Sequence, residues 1–391
     1  MTAPTVVDLF CGAGGLSLGL RAAGFESVFA ADNDEKSLET YRRNLGNHAF
    51  CLDLSALGPD EIARLIRESI CHDPDVVCGG PPCQGFSIQR RGTSEDVRNG
   101  LYARFAEIAV SLNPRAIIIE NVPTVFGKKG GTEVRAAFRT LADAGYIVHQ
   151  GILQAADYSV PQYRRRAFIV GLSANINGVA LQWPPPTTSA RAHLTVRDAI
   201  GDLPEPPADF SEHHRFANHV RVRMSETNLR RIRHVPEGGG RLDIPADLQL
   251  ECHKKDNGHR HLDVYGRLRM DAPSGTITAM FDNFTRGRFA HPTADRNITG
   301  REGARLQSFP DDFVFCGDKK SVARQIGNAV PPKLATAVGH SLMNSLFRLT
   351  VDQELRNDCV ENDRISRSHV ICRDTNREEL GAIMIHRPEI R

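Results

Sequence analysis

Up to residue 171 the chain alternates short apolar runs with amphipathic stretches. Runs at 5–10, 27–31, 49–52, from 76 onward, 114–119, 146–154 and 160–171 read as strands, several too uniformly apolar to have a wet face. Between them, helical periodicity appears up to Ala23 and over 61–70, 101–112 and 135–144. Alternation of this kind predicts an α/β fold with a doubly wound, mostly parallel, Rossmann-like sheet. The pattern then breaks. Trp183 to Thr188 is a proline-rich linker, and over 191–269 periodicity fades while Arg, His, Pro and Gly accumulate. A short strand is expected at 275–279, and Thr299 and Glu302 stand at capping-box spacing. A helix is expected from Lys333 to about 346, followed by a charged, poorly patterned, partly ordered tail over 350–391. The implied organisation is a first part at 1–182, an inserted smaller domain at 183–297 with its variable core at 191–269, and a return to the first domain at 298–349.

Composition narrows the class without naming a function. A chain of 391 residues with 40% hydrophobic content can bury a sizeable core. The net charge of +2 supplies no global pull on a polyanion, so any nucleic-acid contact must come from local basic clusters. Nine cysteines without a C-x-x-C pair fit a reducing compartment and argue against a disulfide framework. With neither an export signal nor an apolar run of membrane length, the cytoplasm is expected and a membrane partner is not.

Candidate chemistry gathers at the strand ends. The first strand runs into Cys11-Gly12-Ala13-Gly14-Gly15-Leu16 and a helix start, where backbone N–H groups favour an anionic ligand group. Ser17 stands where a dinucleotide fingerprint needs its third glycine, which weakens a nicotinamide reading. Asp32 follows the second strand, placed either to take ribose hydroxyls or to cap a helix, and Asp53 follows the third. Residues 76–87 bring a buried strand into Gly79-Gly80-Pro81-Pro82-Cys83, a stiff loop presenting either a nucleophilic thiol or an ordinary turn cysteine. The polar segment 84–100, with Ser87, Gln89, Arg90 and Arg91, is long enough to act as a lid over that loop and touch a phosphate backbone. Glu120 directly follows three isoleucines, so burial should raise its pKa and make it a proton donor, unless it is a paired turn carboxylate. Arg164 and Arg166 share one strand face and are expected to act together. In the variable region Arg230, Arg231 and Arg233 form one of several local basic clusters, suited to phosphates or base edges or to a solvated insertion. Cys252, His253, His259 and His261 match no common zinc spacing, so no metal is expected.

Taken in order, these motifs resemble the cytosine-5 DNA methyltransferases of the bacterial restriction-modification type. The resemblance rests on the segment from Asp8 to Gly15, on Asp32 and Asp53, on the nonamer 79–87 and on Glu120-Asn121-Val122. It continues through Gln162 to Arg166, the stretch 305–310 and the stretch from Gln325 to Val330, so that it covers about 5–347. It implies an S-adenosylmethionine-dependent methyltransferase fold with an inserted target-recognition domain. The implied reaction methylates carbon 5 of a cytosine flipped out of a specific double-stranded DNA sequence, and S-adenosylhomocysteine is the product. In that reaction Cys83 adds to carbon 6, Glu120 donates to ring nitrogen 3, and Arg166 with Arg164 holds the cytosine oxygen and the loop. The resemblance assigns the cofactor to Phe10, Gly12, Gly14, Gly15, Leu16, Asp32, Asn33, Asp53, Leu54, Pro81, Asn328 and Ala329. It also implies a monomer, a nucleoid-associated place in a prokaryotic cytoplasm, and a restriction endonuclease sharing the target site without touching the protein. An RNA cytosine methyltransferase of the same fold is disfavoured by Gly85-Phe86-Ser87 and by the long variable region. A non-catalytic homologue is disfavoured because Cys83, Glu120 and Arg166 are all present.

Overall fold

Seven of the apolar runs assemble into one sheet. The computed structural model describes residues 2–82, 100–127, 131–176, 180–254 and 262–348. The expectations for Cys83, for the segment carrying Ser87, Gln89, Arg90 and Arg91, for His259 and His261 and for the tail 350–391 lie outside the described residues.

In chain order the first part contains β1 (Thr5–Leu9), α1 (Gly15–Ala22), β2 (Glu26–Asp32), α2 (Glu35–Leu45), β3 (Ala49–Cys51), α3 (Pro59–Ile70) and β4 (Val76–Gly79). It continues with α4 (Leu101–Ser111), β5 (Ala116–Asn121), α5 (Gly131–Asp143), β6 (Tyr146–Gln154) and β7 (Arg165–Ser173). Their order in the sheet is β3-β2-β1-β4-β5-β7-β6. The first five are mutually parallel, and β7 runs antiparallel to both of its neighbours. The entry of β7 therefore meets the carboxyl ends of β4 and β5, which is where an open parallel sheet places its ligands.

The uniformly apolar runs are explained by burial on both faces. Along β5, Ile117 and Ile119 point into a core with Ile62 and Ile66 of α3, Phe105 and Ile108 of α4 and Leu141 of α5. Ala116 and Ile118 point the other way, into a core with Leu16 and Leu20 of α1. That second core is completed by α11 (Pro332–Met343), through Leu334, Ala335, Val338 and Leu342. Helix α11 thus packs on α1 at close range. A Cβ on Gly339 would stand 2.6 Å from that of Ala23, and one on Gly19 would run into Ala335 and the Pro332 carbonyl.

A third core lies outside the sheet. It joins α6 (Val196–Ile200), α7 (Glu226–Arg233), β8 (Gly266–Arg267) and β9 (Arg288–Ala290) to α9 (Gly300–Leu306) and α10 (Lys319–Asn328), with the short α8 (Glu251–Lys254) between α7 and β8. Val196, Ile232, Leu268, Phe281 and Phe289 meet Ala304, Phe309 and Ile326 there. One apolar core therefore spans both sides of residue 297, and α11 is the element of the 298–349 segment that returns to the sheet. Arg267 is buried and donates to the carbonyls of Ile232, Val235, His291 and Ala294 and to the Asp295 carboxylate, which holds the loops of this lobe together. The capping box at α9 forms as expected, with Thr299 and Glu302 bonded reciprocally. The strand expected at 275–279 does not form. A single bridge joins Ser274 to Gln162, and the rest of that segment is held by side chains instead of a ladder.

Candidate active site

A cavity of about 750 Å³ opens at the carboxyl ends of the strands. Its first wall is the turn after β1. Phe10 leaves the strand with φ 60°, Gly12 has φ 52° and Gly14 has φ 91°, three left-handed positions in five residues. Glycine tolerates that backbone at no steric cost, and Phe10 does not. The Cys11 N–H fixes the turn by donating to the Ala31 carbonyl at 3.0 Å, and the Gly12 N–H by donating to Asp32 Oδ2 at 2.8 Å. Phe10, Gly12, Gly15, Leu16, Asp32, Asn33, Asp53, Leu54, Pro81, Asn328 and Ala329 all line the cavity. Gly14 does not; it turns the chain into α1, with Tyr41 and Leu45 packed behind it.

Asp32 accepts one backbone N–H on each oxygen, from Gly12 and from Asp34, which leaves a lone pair on each. Its pKa is raised, because burial outweighs those two bonds. Asp53 is exposed, and its Oδ1 accepts from the Ser55 N–H and hydroxyl, which hold the carboxyl below its usual range. The far side of this half of the cavity comes from the other end of the chain, as Arg324, Gln325, Gly327, Asn328, Ala329 and Val330. Polar ties fix that wall across the mouth. Arg324 Nη2 stands 3.0 Å from both oxygens of Asp34, and the Thr40 hydroxyl donates to Gln325 Oε1 at 2.6 Å.

At the opposite end stand Glu120, Arg166, Pro81 and Pro82. Arg166 Nε donates to Glu120 Oε1 at 2.8 Å, with both side chains about nine-tenths buried. Burial raises the Glu120 pKa, and the two arginines Arg166 and Arg164 oppose it. Asn121 Nδ2 donates to the Pro81 carbonyl at 2.9 Å, tying the end of β5 to the loop that leads into Cys83. Among the described residues two other thiols lie close by, and neither is suited to act as nucleophile. Cys11 and Cys78 are buried, and burial pushes both well above the ordinary thiol range, so the thiolate is suppressed.

Two expected arginine roles need correction. Arg164 lies before β7 starts, fully buried, and its guanidinium donates to backbone carbonyls, so its charge reaches Glu120 beside that of Arg166 but its donors are taken up by the chain. Arg231 is likewise folded inward, donating to the Leu248 carbonyl, Asn228 Oδ1 and the Tyr265 hydroxyl. The reason is helical spacing. On α7, Arg230 and Arg233 are three apart and share the exposed face, while Arg231 is turned about 100° from Arg230.

Asp8 lines the same cavity and was not singled out from the sequence. Its Oδ2 accepts from the Ser17 hydroxyl at 2.5 Å, while the buried Oδ1 lacks a hydrogen bond of ordinary geometry among the described residues. Burial lifts the carboxyl to about 7. The signal was available, because a carboxylate interrupting Val6-Val7 and Leu9 is the same pattern that marked Glu120. With its pKa above the ordinary 3.8, the folded protein binds a proton that the unfolded chain releases between about pH 4 and 7. Its contribution to stability is therefore full at low pH and is lost as pH rises through that window, by at most about 4 kcal/mol. Asp8→Asn should raise the melting temperature relative to the parent by several degrees more at pH 8 than at pH 5. Equal shifts at both pH values in a thermal-denaturation series would show that Asp8 is not held neutral.

An open, mostly parallel sheet with one antiparallel strand, carrying acidic strand tips and a glycine-rich turn around a shared cavity, defines the fold class of the S-adenosylmethionine-dependent methyltransferases. The model of the C-5 cytosine-specific DNA methylase family matches residues 4–344, and the chain belongs to that family. It is accordingly a DNA (cytosine-5-)-methyltransferase, of a family whose methyl donor is S-adenosylmethionine. The Type II methylase M.HgiDII of Herpetosiphon aurantiacus is 33% identical over 357 residues, covering 90% of this chain and 98% of the relative. The Type II methyltransferase M1.HphI of Haemophilus parahaemolyticus is 36% identical over 346 residues, covering 87% and 86%. Among solved structures, a prophage-encoded protein of E. coli described as a DNA modification methyltransferase has TM-score 0.66 at 28% identity, covering 88% of this chain and 99% of its own.

Proposed function

We propose that the protein methylates one cytosine within a specific double-stranded DNA sequence, as the modification enzyme of a restriction-modification system, and that Cys83 is its nucleophile. The observation that carries this reading is the buried Glu120–Arg166 pair at 2.8 Å, in the same cavity as Asp32 and Asp53 and beside the prolines that lead into Cys83.

Carbon 5 of cytosine is a poor nucleophile. Addition of the Cys83 thiolate to carbon 6 pushes electron density onto carbon 5 and splits one difficult step into easier ones. Glu120 supplies a proton to ring nitrogen 3, and Arg166 faces the charge that develops on the exocyclic oxygen O2 while holding the Glu120 carboxyl in place. Loss of the carbon 5 proton and expulsion of Cys83 then restore the ring. S-adenosylmethionine supplies an electrophilic methyl group. The donor set at the other end of the cavity suits it: the free lone pairs of Asp32 match ribose hydroxyls, Asp53 Oδ2 matches the adenine amino group, and Phe10 and Leu54 offer apolar contact. The lobe built around 196–290 would read the DNA sequence, with Arg230 and Arg233 on phosphates, and Ser87, Gln89, Arg90 and Arg91 would approach the duplex from beside Cys83.

Bisulfite sequencing of DNA from a host expressing the protein tests this directly. Protected cytosines confined to one sequence context are expected, and complete conversion at every site would overturn the reading. Exchanging 191–269 for the corresponding region of a relative should move protection to another context. An unchanged context would remove sequence recognition from that region.

A further inference from the structure

Two buried polar side chains join the extra-sheet lobe to the cofactor end of the cavity, and the catalytic steps proposed above use neither of them. Gln162 is fully buried, and its Oε1 accepts from the Ile277 N–H at 2.9 Å. Its Nε2 donates to the Leu306 carbonyl at 3.0 Å and to Gln307 Oε1 at 3.1 Å, and Gln307 in turn donates to the Ile326 carbonyl at 2.6 Å. Two residues on, Arg164 Nη1 donates to the Ile277 carbonyl at 2.8 Å. Its Nη2 donates to the carbonyls of Gly327 at 2.8 Å and Ala329 at 2.9 Å. Both backbone polar groups of Ile277 are therefore held by side chains from the entry of β7, while the same guanidinium holds two residues of the cavity wall.

We infer that Arg164 is a positioning residue that couples engagement of the 196–290 lobe to the cofactor wall at Gly327 to Ala329. Three features make the tie stiff. Ile277 is buried with Phe281 in the core that the lobe shares with Ala304 of α9 and Ile326 of α10, so the lobe cannot shift without carrying it. The backbones touch directly as well, since a Cβ on Gly327 would collide with the Thr278 carbonyl and the Ala279 nitrogen. A guanidinium also presents its donors in a fixed planar fork, so displacing one carbonyl partner disturbs the others. Arg164 lies two residues before Arg166, whose partner is Glu120, so one short segment touches the lobe, the cofactor wall and the acid. A lobe that moves on meeting DNA would change cofactor affinity through these bonds, and bound cofactor would change DNA affinity by the same factor.

This inference rests on the lobe's proposed engagement of DNA, and the experiment separates the two. S-adenosylhomocysteine binding to the full-length protein is measured by calorimetry, alone and with a duplex carrying the context defined by bisulfite sequencing. In the parent protein the duplex should change the affinity at least about fivefold. In Arg164→Lys, which keeps the charge and loses the fork, the change should shrink to within about twofold, while Arg166→Lys should lower turnover and keep the coupling. Hydrogen exchange on the parent protein needs no variant. On adding the duplex, 277–279 and 326–329 should change protection together, a readout that holds even if Arg164→Lys does not fold. Parental coupling retained in Arg164→Lys, no coupling in the parent, or a change at 277–279 without one at 326–329 would overturn the inference. Methylation of the duplex, assayed in parallel, would still stand in each of those cases.

Discussion

Cys83→Ala should lose methyl transfer to duplex DNA by about 10⁴-fold or more while still binding S-adenosylhomocysteine. The magnitude follows from chemistry. Without a covalent bond at carbon 6, carbon 5 remains part of an aromatic ring with little tendency to attack an electrophile. Neither neighbouring thiol among the described residues can substitute. Cys11 shares the cavity and Cys78 lies in β4, but burial pushes both thiols well above their ordinary range. Cofactor binding should survive because its proposed contacts, Asp32, Asp53, Phe10 and the Gly327 to Ala329 wall, belong to other elements. A single-turnover assay with labelled methyl donor reads the first quantity and calorimetry the second. Turnover near the parental rate would end the covalent mechanism. Loss of both properties would point to a folding defect instead.

The second large effect is expected at Glu120. As the donor to ring nitrogen 3 it must carry a proton, and burial raises its pKa against the opposing charges of Arg166 and Arg164. The sign follows from that direction. Below the raised pKa the acid form is ready, and above it the donor is lost, so the rate should fall on the alkaline side. Glu120→Gln keeps the volume and can still hydrogen-bond, but it cannot deliver a proton. The turnover number should drop by about 10² to 10⁴, and the alkaline limb should vanish from its pH profile. Parental turnover in Glu120→Gln, or an unchanged alkaline limb, would remove Glu120 as the acid. The variant also leaves Arg166 without its ionic partner, so Arg166→Gln is a needed comparison. If proton donation is the function, Glu120→Gln should lose the pH limb while Arg166→Gln retains and shifts it.

Where one residue's environment is set by its immediate neighbours, the sequence carried the answer. Three isoleucines before Glu120 imply a buried carboxylate, and the structure places it there. Asp8, set between Val7 and Leu9, obeys the same rule. The glycine turn after β1, the acids at the tips of β2 and β3 and the capping box at Thr299 were legible for the same reason, since local backbone chemistry dictates them. The arginines were not. Arg164 and Arg166 look equivalent in an extended segment, and strand alternation puts them on one face. Whether a guanidinium meets a base or a carbonyl depends on which distant segment packs against it, and here residues 277, 327 and 329 reach Arg164 first.

The strand expected at 275–279 shows the same limit. Its composition suits a strand, yet a strand needs a partner edge, and the neighbouring chain offers side-chain amide and guanidinium groups instead. What the sequence by itself determined was the alternation that makes the sheet, the chemistry at the strand ends and the family. Those features depend on residues close in the chain or on motifs read whole. The tertiary structure decided which of the charged groups share a cavity, and that the core of the extra-sheet lobe continues through α9 and α10. It also decided that Arg324 to Val330, far along the chain, complete the wall of the cavity. Contacts separated by 100 to 300 residues decide those points, and no local pattern records them.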